Sequence, residues 1–216
     1  SALRLLTRDS LRCCIVTRKL NANELAMVEG HTLGAKQALI ATDAIALVVN
    51  KANKDSLITV DEVKQIMQGK ITKWEQLKHH SRTGNLGIVF DHSGSSTVRY
   101  MRDSLCDGRP LAGPVYASEK GTNLNVLEMV KNNPNVIGVV GTNWLKGNAD
   151  SPLANFDSLD VNVMRVAKTE DDLFVRPFQY YIATGDYPLL RSVYIITTDP
   201  RSQSMVKLFY FFVQGQ

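Results

Sequence analysis

Apolar runs of strand length alternate along this chain with stretches whose apolar residues recur at helical spacing. LRCCIVT (11–17), KQALIAT (36–42), DAIALVVN (43–50), LGIVFD (86–91), VIGVVGT (136–142), VNVMRVA (161–167) and SVYIITT (192–198) are rich in Val and Ile and read as buried strands. Between them, TVDEVKQIMQG (59–69) carries Thr59 as an N-cap with Glu62 three residues on, a capping box, and sets Val63, Ile66 and Met67 on one face. SSTVRYMRDSL (95–105) aligns Val98, Met101 and Leu105 in the same way, and TNLNVLEMVKNN (122–133) aligns Leu124, Leu127 and Val130. Gly69 ends the first of these helices and NNPN (132–135) the last. NWLKGNADSPLANFDSLD (143–160) has no periodicity and reads as a loop or small insertion. Strand and helix in alternation predict an α/β protein with largely parallel sheets, in which ligands sit beyond the carboxyl ends of strands.

One junction in this pattern carries candidate chemistry. In FDHSGSSTVRYM (90–101) a strand leads through a turn into a helix whose start holds Ser95, Ser96 and Thr97. Free N–H groups of a first helical turn, the positive end of the helix dipole and three hydroxyl donors would converge there on a small oxyanion. An ordinary N-cap needs only one hydroxyl, so the surplus is the signal, and capping alone stands as the alternative. A hydrolase is disfavoured: the segment lacks the Gly-x-Ser-x-Gly elbow, and His92 beside serines in sequence is not a base bonded to a nucleophile. EKGTNLN (119–125) lacks the spacing of a phosphate-binding P-loop and reads as another capped helix entrance.

Composition narrows the classes. With 216 residues, 44% of them hydrophobic and 21% charged, the chain has enough apolar material for one large core or two modest lobes. A formal charge of +4 with scattered lysines and arginines is not the footprint of a nucleic-acid binder. No apolar run reaches the roughly 20 residues that span a bilayer, and no leader pattern opens the chain. Cys13, Cys14 and Cys106 are odd in number, with an adjacent pair ill-suited to a disulfide, and no His or Cys stands near them at zinc-ligand spacing, so they read as buried thiols and no metal is expected.

A longer stretch adds a resemblance. DAIALVVNKANKDSLITVDEVKQIMQGKITKWEQL resembles the segment of phosphate-binding proteins of bacterial ABC transporters that reads Asp-Gly-Ile-x-x-x-Val-Asn, then Leu-Thr, then Ile-Phe-x-Gly-Lys-Ile-x-x-Trp. Asp43, Val49, Asn50, Ile58, Thr59, Ile66, Gly69, Lys70, Ile71 and Trp74 carry the match. GSST stands where that family has its Gly-Ser-Gly-Thr anion loop, and NNPNVIGVVGTNWL is similar to its Pro-x-x-Ile-Gly-Tyr motif, in order over most of residues 11 to 213. The resemblance implies a type 2 periplasmic-binding fold, two α/β lobes joined by two crossover strands at DAIALVVN and RSVYIITT. The lobes would be residues 1–48 plus 189–216, and 49–188.

It further implies a receptor rather than an enzyme, capturing inorganic phosphate without any cofactor, periplasmic or anchored as a lipoprotein, and handing its ligand to the membrane permease of an ABC importer. The family's opening strand, helix and strand have no counterpart here, which implies a first lobe incomplete at both chain ends and an exposed sheet edge prone to self-association. Phosphate ligands are expected at Ser95, Ser96 and Thr97. Asp91 occupies the position of a family arginine and Thr17 that of a family aspartate which accepts the ligand's proton, so Arg18 and Arg99 are the candidate replacements for the lost guanidinium. Two readings of Asp91 stand: it accepts a ligand proton, or it caps the turn or pairs with Arg99. The alternatives to a phosphate receptor are a receptor for another oxyanion, an extracytoplasmic sensor or scaffold without a transport ligand, and a phosphate-ester hydrolase.

Overall fold

In chain order the elements are α1 (Ala2–Thr7), β1 (Cys13–Val16), α2 (Ala22–Glu29), β2 (Lys36–Asn50), β3 (Leu57–Thr59), α3 (Val60–Met67), β4 (Gly87–Phe90), α4 (Ser96–Tyr100), β5 (Val115–Ala117), α5 (Asn123–Asn132), β6 (Val136–Gly141), β7 (Val161–Val163), β8 (Arg165–Ala167), α6 (Gln179–Thr184), β9 (Leu190–Thr197) and α7 (Met205–Gln214). They are those of a computed structural model that describes residues 2–30, 34–54, 56–118, 121–145, 156–199 and 205–214. The chain divides into two compact units, residues 1–43 with 191–216, and residues 44–190.

The first unit is small. β1 runs antiparallel to β9, with Cys13 opposite Thr197 and Val16 opposite Tyr194. Leu3 and Leu6 of α1, Cys14, Leu20, Val28 of α2 and Ile196 form its core. The start of α2 is a capping box: Asn21 Oδ1 accepts from the Glu24 N–H at 2.9 Å while Glu24 Oε2 accepts from the Asn21 N–H at 3.0 Å. This helix was not among those expected from the sequence, although its Asn-x-x-Glu start carries the capping signature.

The second unit holds the larger sheet. β2 lies antiparallel to β6 and to β7, while β4 sits between β6 and β5 and runs parallel to both. The sheet is therefore mixed, not largely parallel as the alternation predicts. The cause is β2: no turn residue separates KQALIAT from DAIALVVN, so the two expected strands form one 15-residue strand.

Alternation along β2 builds the core on both sheet faces. Ile45, Leu47 and Val49 pack with Val63, Ile66 and Met67 of α3, with Trp74, Phe90 and Met101. Ala46 and Val48 pack instead with Val126 and Val130 of α5, Phe156 and Val163. On α5 the sequence expectation needs correction, since Leu124 is 60% exposed and Val126 and Val130 are the buried pair. The helix sits that close to β6 because of Gly138, where a Cβ would lie 2.6 Å from Val130 Cγ2 and 2.9 Å from both Val126 Cγ1 and Val48 Cγ2.

α3 has the expected capping box at Thr59 and Glu62, and Gly69, with φ of 74°, takes the left-handed position that ends it. The run VNVMRVA breaks into two short strands. β7 pairs with β2 and β8 pairs parallel with β3, the chain passing over at Met164, whose N–H donates to the Leu47 carbonyl at 2.9 Å. In the expected loop 143–160, single 3₁₀ turns form at Thr142–Leu145 and Phe156–Ser158, and residues 146–155 lie outside those described.

Candidate functional site

The fully buried β4 delivers the chain to the site, because its four residues are apolar or glycine and lie between two parallel neighbours. The backbone leaves the sheet at Asp91 and folds into a turn closed by the Ser95 N–H donating to the His92 carbonyl at 3.1 Å. Ser95 then caps α4: its backbone is extended, at φ −68° and ψ 160°, and its Oγ accepts from the Val98 N–H at 3.1 Å. Ser95 and Thr97 are buried and Ser96 is half-buried. The helix expected over 95–105 is α-helical only to Tyr100 and continues as a π-helical turn over Met101–Leu105, which buries Met101 and Leu105.

The carboxyl ends of β4 and β5 are tied together beside this turn. The Ser118 N–H donates to the Phe90 carbonyl at 2.8 Å, and Ser118 Oγ donates to the Asp91 carbonyl at 2.8 Å. Ser118 escaped the sequence reading, since nothing before the strand order is known marks it as a neighbour of Asp91. The entrance to α5 closes in from the other side, where a Cβ on Gly121 would lie 3.8 Å from His92 Cβ. Thr122 caps α5, its side chain accepting from the Asn125 N–H.

Asp91 is the charged group at the centre of this arrangement. It is 8% exposed; Oδ2 lies 3.4 Å from His92 Nδ1, and Oδ1 is buried without a hydrogen-bond partner. No ion pair joins it to Arg99 among the described residues; Arg99 is half-buried on α4, with its N–H donating to the Ser95 carbonyl. The second unit thus brings Asp91, Ser95, Ser96, Thr97 and Arg99 into one strand–turn–helix segment.

Thr17 and Arg18 belong to the first unit, in the turn after β1. Thr17 is half-buried. The Arg18 guanidinium grips Glu24 through both nitrogens, Nη1 to Oε2 at 2.7 Å and Nη2 to Oε1 at 2.8 Å, and Nη1 also donates to the Lys19 carbonyl at 2.9 Å. This fork holds the Glu24 carboxyl below its ordinary range. Arg18 is thereby built into the start of α2.

The arrangement suits anion binding better than bond cleavage. The Ser95 oxygen is engaged as a helix cap and His92 Nδ1 faces Asp91. The three cysteines are free, and burial pushes their thiols up, Cys14 to about 11 with the neighbouring Cys13 adding to the effect, so none is an activated nucleophile. Among the described residues no group of three or more His, Cys, Asp or Glu side chains is placed to hold a metal ion, and no helix is long and apolar enough to cross a membrane.

The boundary between the two α/β units crosses β2 between Asp43 and Ala44 and falls at the start of β9, and the fold, with a hydroxyl-rich turn beyond parallel strand ends in the second unit, is that of the type 2 periplasmic class. The chain belongs to the PBP superfamily domain family, which it matches over residues 1–215. It is similar in structure to an ABC-type phosphate transport receptor from Vibrio cholerae, with a TM-score of 0.72 and 20% identity over 98% of this chain and 77% of that one. A putative phosphate ABC transporter substrate-binding protein with bound phosphate, from Clostridium perfringens, gives 0.64 and 18% over 98% and 75%. In sequence, 44 residues are 50% identical to the phosphate-binding protein PstS 2 of Streptococcus agalactiae, a match that spans 20% of this chain and only 15% of that protein.

Proposed function

We propose that this chain is the ligand-capturing part of an extracytoplasmic phosphate receptor that serves an ABC importer. The observation that carries the reading is the turn after β4, where the buried hydroxyl residues Ser95 and Thr97 and the half-buried Ser96 gather at a helix start beyond the carboxyl ends of parallel strands. Hydroxyls and first-turn amides are donors, and an oxyanion with acceptor oxygens on every side is the ligand such a cluster recognises. The names of the similar solved structures, an ABC-type phosphate transport receptor and a putative phosphate ABC transporter substrate-binding protein with bound phosphate, support the same ligand and an ABC transporter as the partner. Arg99, on the same helix, supplies the countercharge. Binding and release require no chemistry of the protein, which on this reading is not an enzyme.

Calorimetric titration of the full-length protein with inorganic phosphate tests the proposal, together with the Ser96→Ala/Thr97→Ala double variant. Each hydroxyl bonded to a charged acceptor contributes about 1.5–3 kcal/mol, so the double variant should weaken phosphate binding by at least tenfold. Undiminished affinity removes this turn from the site. Turnover of a chromogenic phosphate ester by the wild-type protein would replace the receptor reading with a hydrolase.

A further inference from the structure

Four large apolar side chains share the outward face of α7: Leu208, Phe209, Phe211 and Phe212 are 62, 45, 37 and 78% exposed. At about 100° per residue they fall within one arc of the helix. The buried Tyr210 and the half-buried Val206, Lys207 and Val213 take the opposite arc. A surface helix ordinarily turns charged and polar groups outward, and a contiguous apolar face in that place marks an interaction surface. α7 has no acidic residue and one basic residue, Lys207, whose ammonium lies 5.7 Å from the centre of the Phe211 ring.

We propose that the outward face of α7 docks on an anionic lipid surface. The charge of its unit selects the partner. Residues 1–43 and 191–216 carry nine Lys and Arg against five Asp and Glu, whereas residues 44–190 carry sixteen of each, so the whole formal charge of +4 lies in the first unit. Three of its five acidic groups, Asp9, Glu24 and Asp43, are held in ion pairs with Arg12, Arg18 and Arg191. α1 repeats the mixture of basic and apolar groups: Leu3 and Leu6 are buried, while Arg4, Leu5 and the following Arg8 are exposed. Two copies joined through this unit would set like charge against like charge. The complement is a surface that offers hydrocarbon and negative charge together, as a bilayer with anionic headgroups does. Phenylalanine and leucine enter the boundary between headgroups and acyl chains, and the basic side chains stay with the phosphates. At ten residues, roughly 15 Å, α7 lies in that boundary and does not cross it. The turn proposed to capture phosphate belongs to the other unit, so the two roles stand or fall separately.

The test is co-sedimentation of the full-length protein with vesicles of phosphatidylcholine and phosphatidylglycerol, set against vesicles of phosphatidylcholine alone. The wild type should partition onto the anionic vesicles about tenfold more strongly, and the preference should shrink at high salt. Phe209→Ser/Phe212→Ser should weaken that partitioning by about tenfold or more and leave phosphate affinity unchanged. Undiminished partitioning of the double variant takes α7 out of the contact and overturns the proposal. So does a wild type that binds neither vesicle, or both equally. A concentration-dependent dimer that the same variant abolishes, without vesicle binding, overturns it in favour of a second copy. Vesicle binding without phosphate binding upholds this inference and removes the receptor reading. Should the double variant fail to fold, Phe212→Trp keeps an aromatic ring in place. Brominated acyl chains in the anionic vesicles should then quench fluorescence beyond any quenching of the native Trp74 and Trp144, and no added quenching overturns the proposal.

Discussion

Replacing Ser95 separates two duties of one hydroxyl, the helix cap that the structure shows and the anion donor of the proposed site. Its Oγ accepts from the Val98 N–H at 3.1 Å as the cap of α4, and its hydrogen remains available to an anion at the same helix start. Ser95→Ala removes both. Losing an N-cap costs about 1 kcal/mol of stability, within a range of roughly 0.5–2. Losing a donor to a charged acceptor costs about 1.5–3 kcal/mol of binding, so phosphate affinity should fall by roughly ten- to a hundred-fold. Ser95→Asp splits the duties. Aspartate caps as well as serine and sits favourably at the dipole, so stability should stay within about 0.5 kcal/mol of the wild type. Its charge repels the ligand, so phosphate affinity should drop below that of Ser95→Ala. Urea unfolding read by tryptophan fluorescence is suited to the stability arm, since Trp74 is fully buried in the same unit. Phosphate titration reads the other arm. If Ser95→Asp binds phosphate as tightly as the wild type, no anion sits at this helix start and the argument fails.

Glu62→Ala should destabilise the second unit by about 3 kcal/mol, because the buried carboxylate accepts from the Thr59 N–H, the Thr59 hydroxyl and the Lys78 N–H at 2.9, 3.1 and 2.8 Å, bonds that do not add fully. A change under about 1 kcal/mol in urea unfolding would show that water replaces the carboxylate at these donors. In the first unit, Arg18 holds the Glu24 carboxyl below its ordinary value of 4.5. A depressed carboxyl contributes stability that is present above that value and is lost as pH falls through the lower folded one. Arg18→Met should therefore reduce the loss of first-unit stability on acidification, as followed by pH-dependent hydrogen exchange of α2 amides, and an unchanged acid profile would contradict the pairing.

Much of the fold is legible in the sequence because its determinants are local. Thr59 and Glu62 form their capping box with no help from elsewhere, Gly69 meets the left-handed backbone that ends α3, and the apolar alternation of β2 decides which residues face α3 and which face α5. The candidate site is legible to the same depth: Ser95 caps because an extended serine before a helix does so wherever it occurs. The misses share a tertiary origin. On α5 the expected face holds for Val130 and for the half-buried Leu127, but Leu124 is exposed and Val126, which packs against Gly138, takes the buried place. VNVMRVA is one apolar run, and only the separate claims of β2 and β3 on its backbone divide it at Met164.

Charge at the site shows the same limit more sharply. In sequence, Arg18 and Arg99 are equal candidates for countercharge, since each lies within two residues of a hydroxyl that resembles a ligand. The fold separates them: Glu24, six residues beyond Arg18, takes both arms of its guanidinium, whereas Arg99 keeps its fork unengaged among the described residues. A guanidinium already bonded bidentately to a carboxylate must give up two charge-assisted bonds before it meets a ligand, and the partner it leaves is the carboxylate that caps α2. An unengaged guanidinium surrenders only water. Asp91 follows the same reasoning with the sign reversed. Its carbonyl is held by Ser118 at the end of β5, a residue that no local pattern connects to it, and its carboxylate is buried with Oδ1 lacking a hydrogen-bond partner. Local sequence therefore names the groups that can touch an anion, while the partners supplied by the fold decide which of them are free to do so.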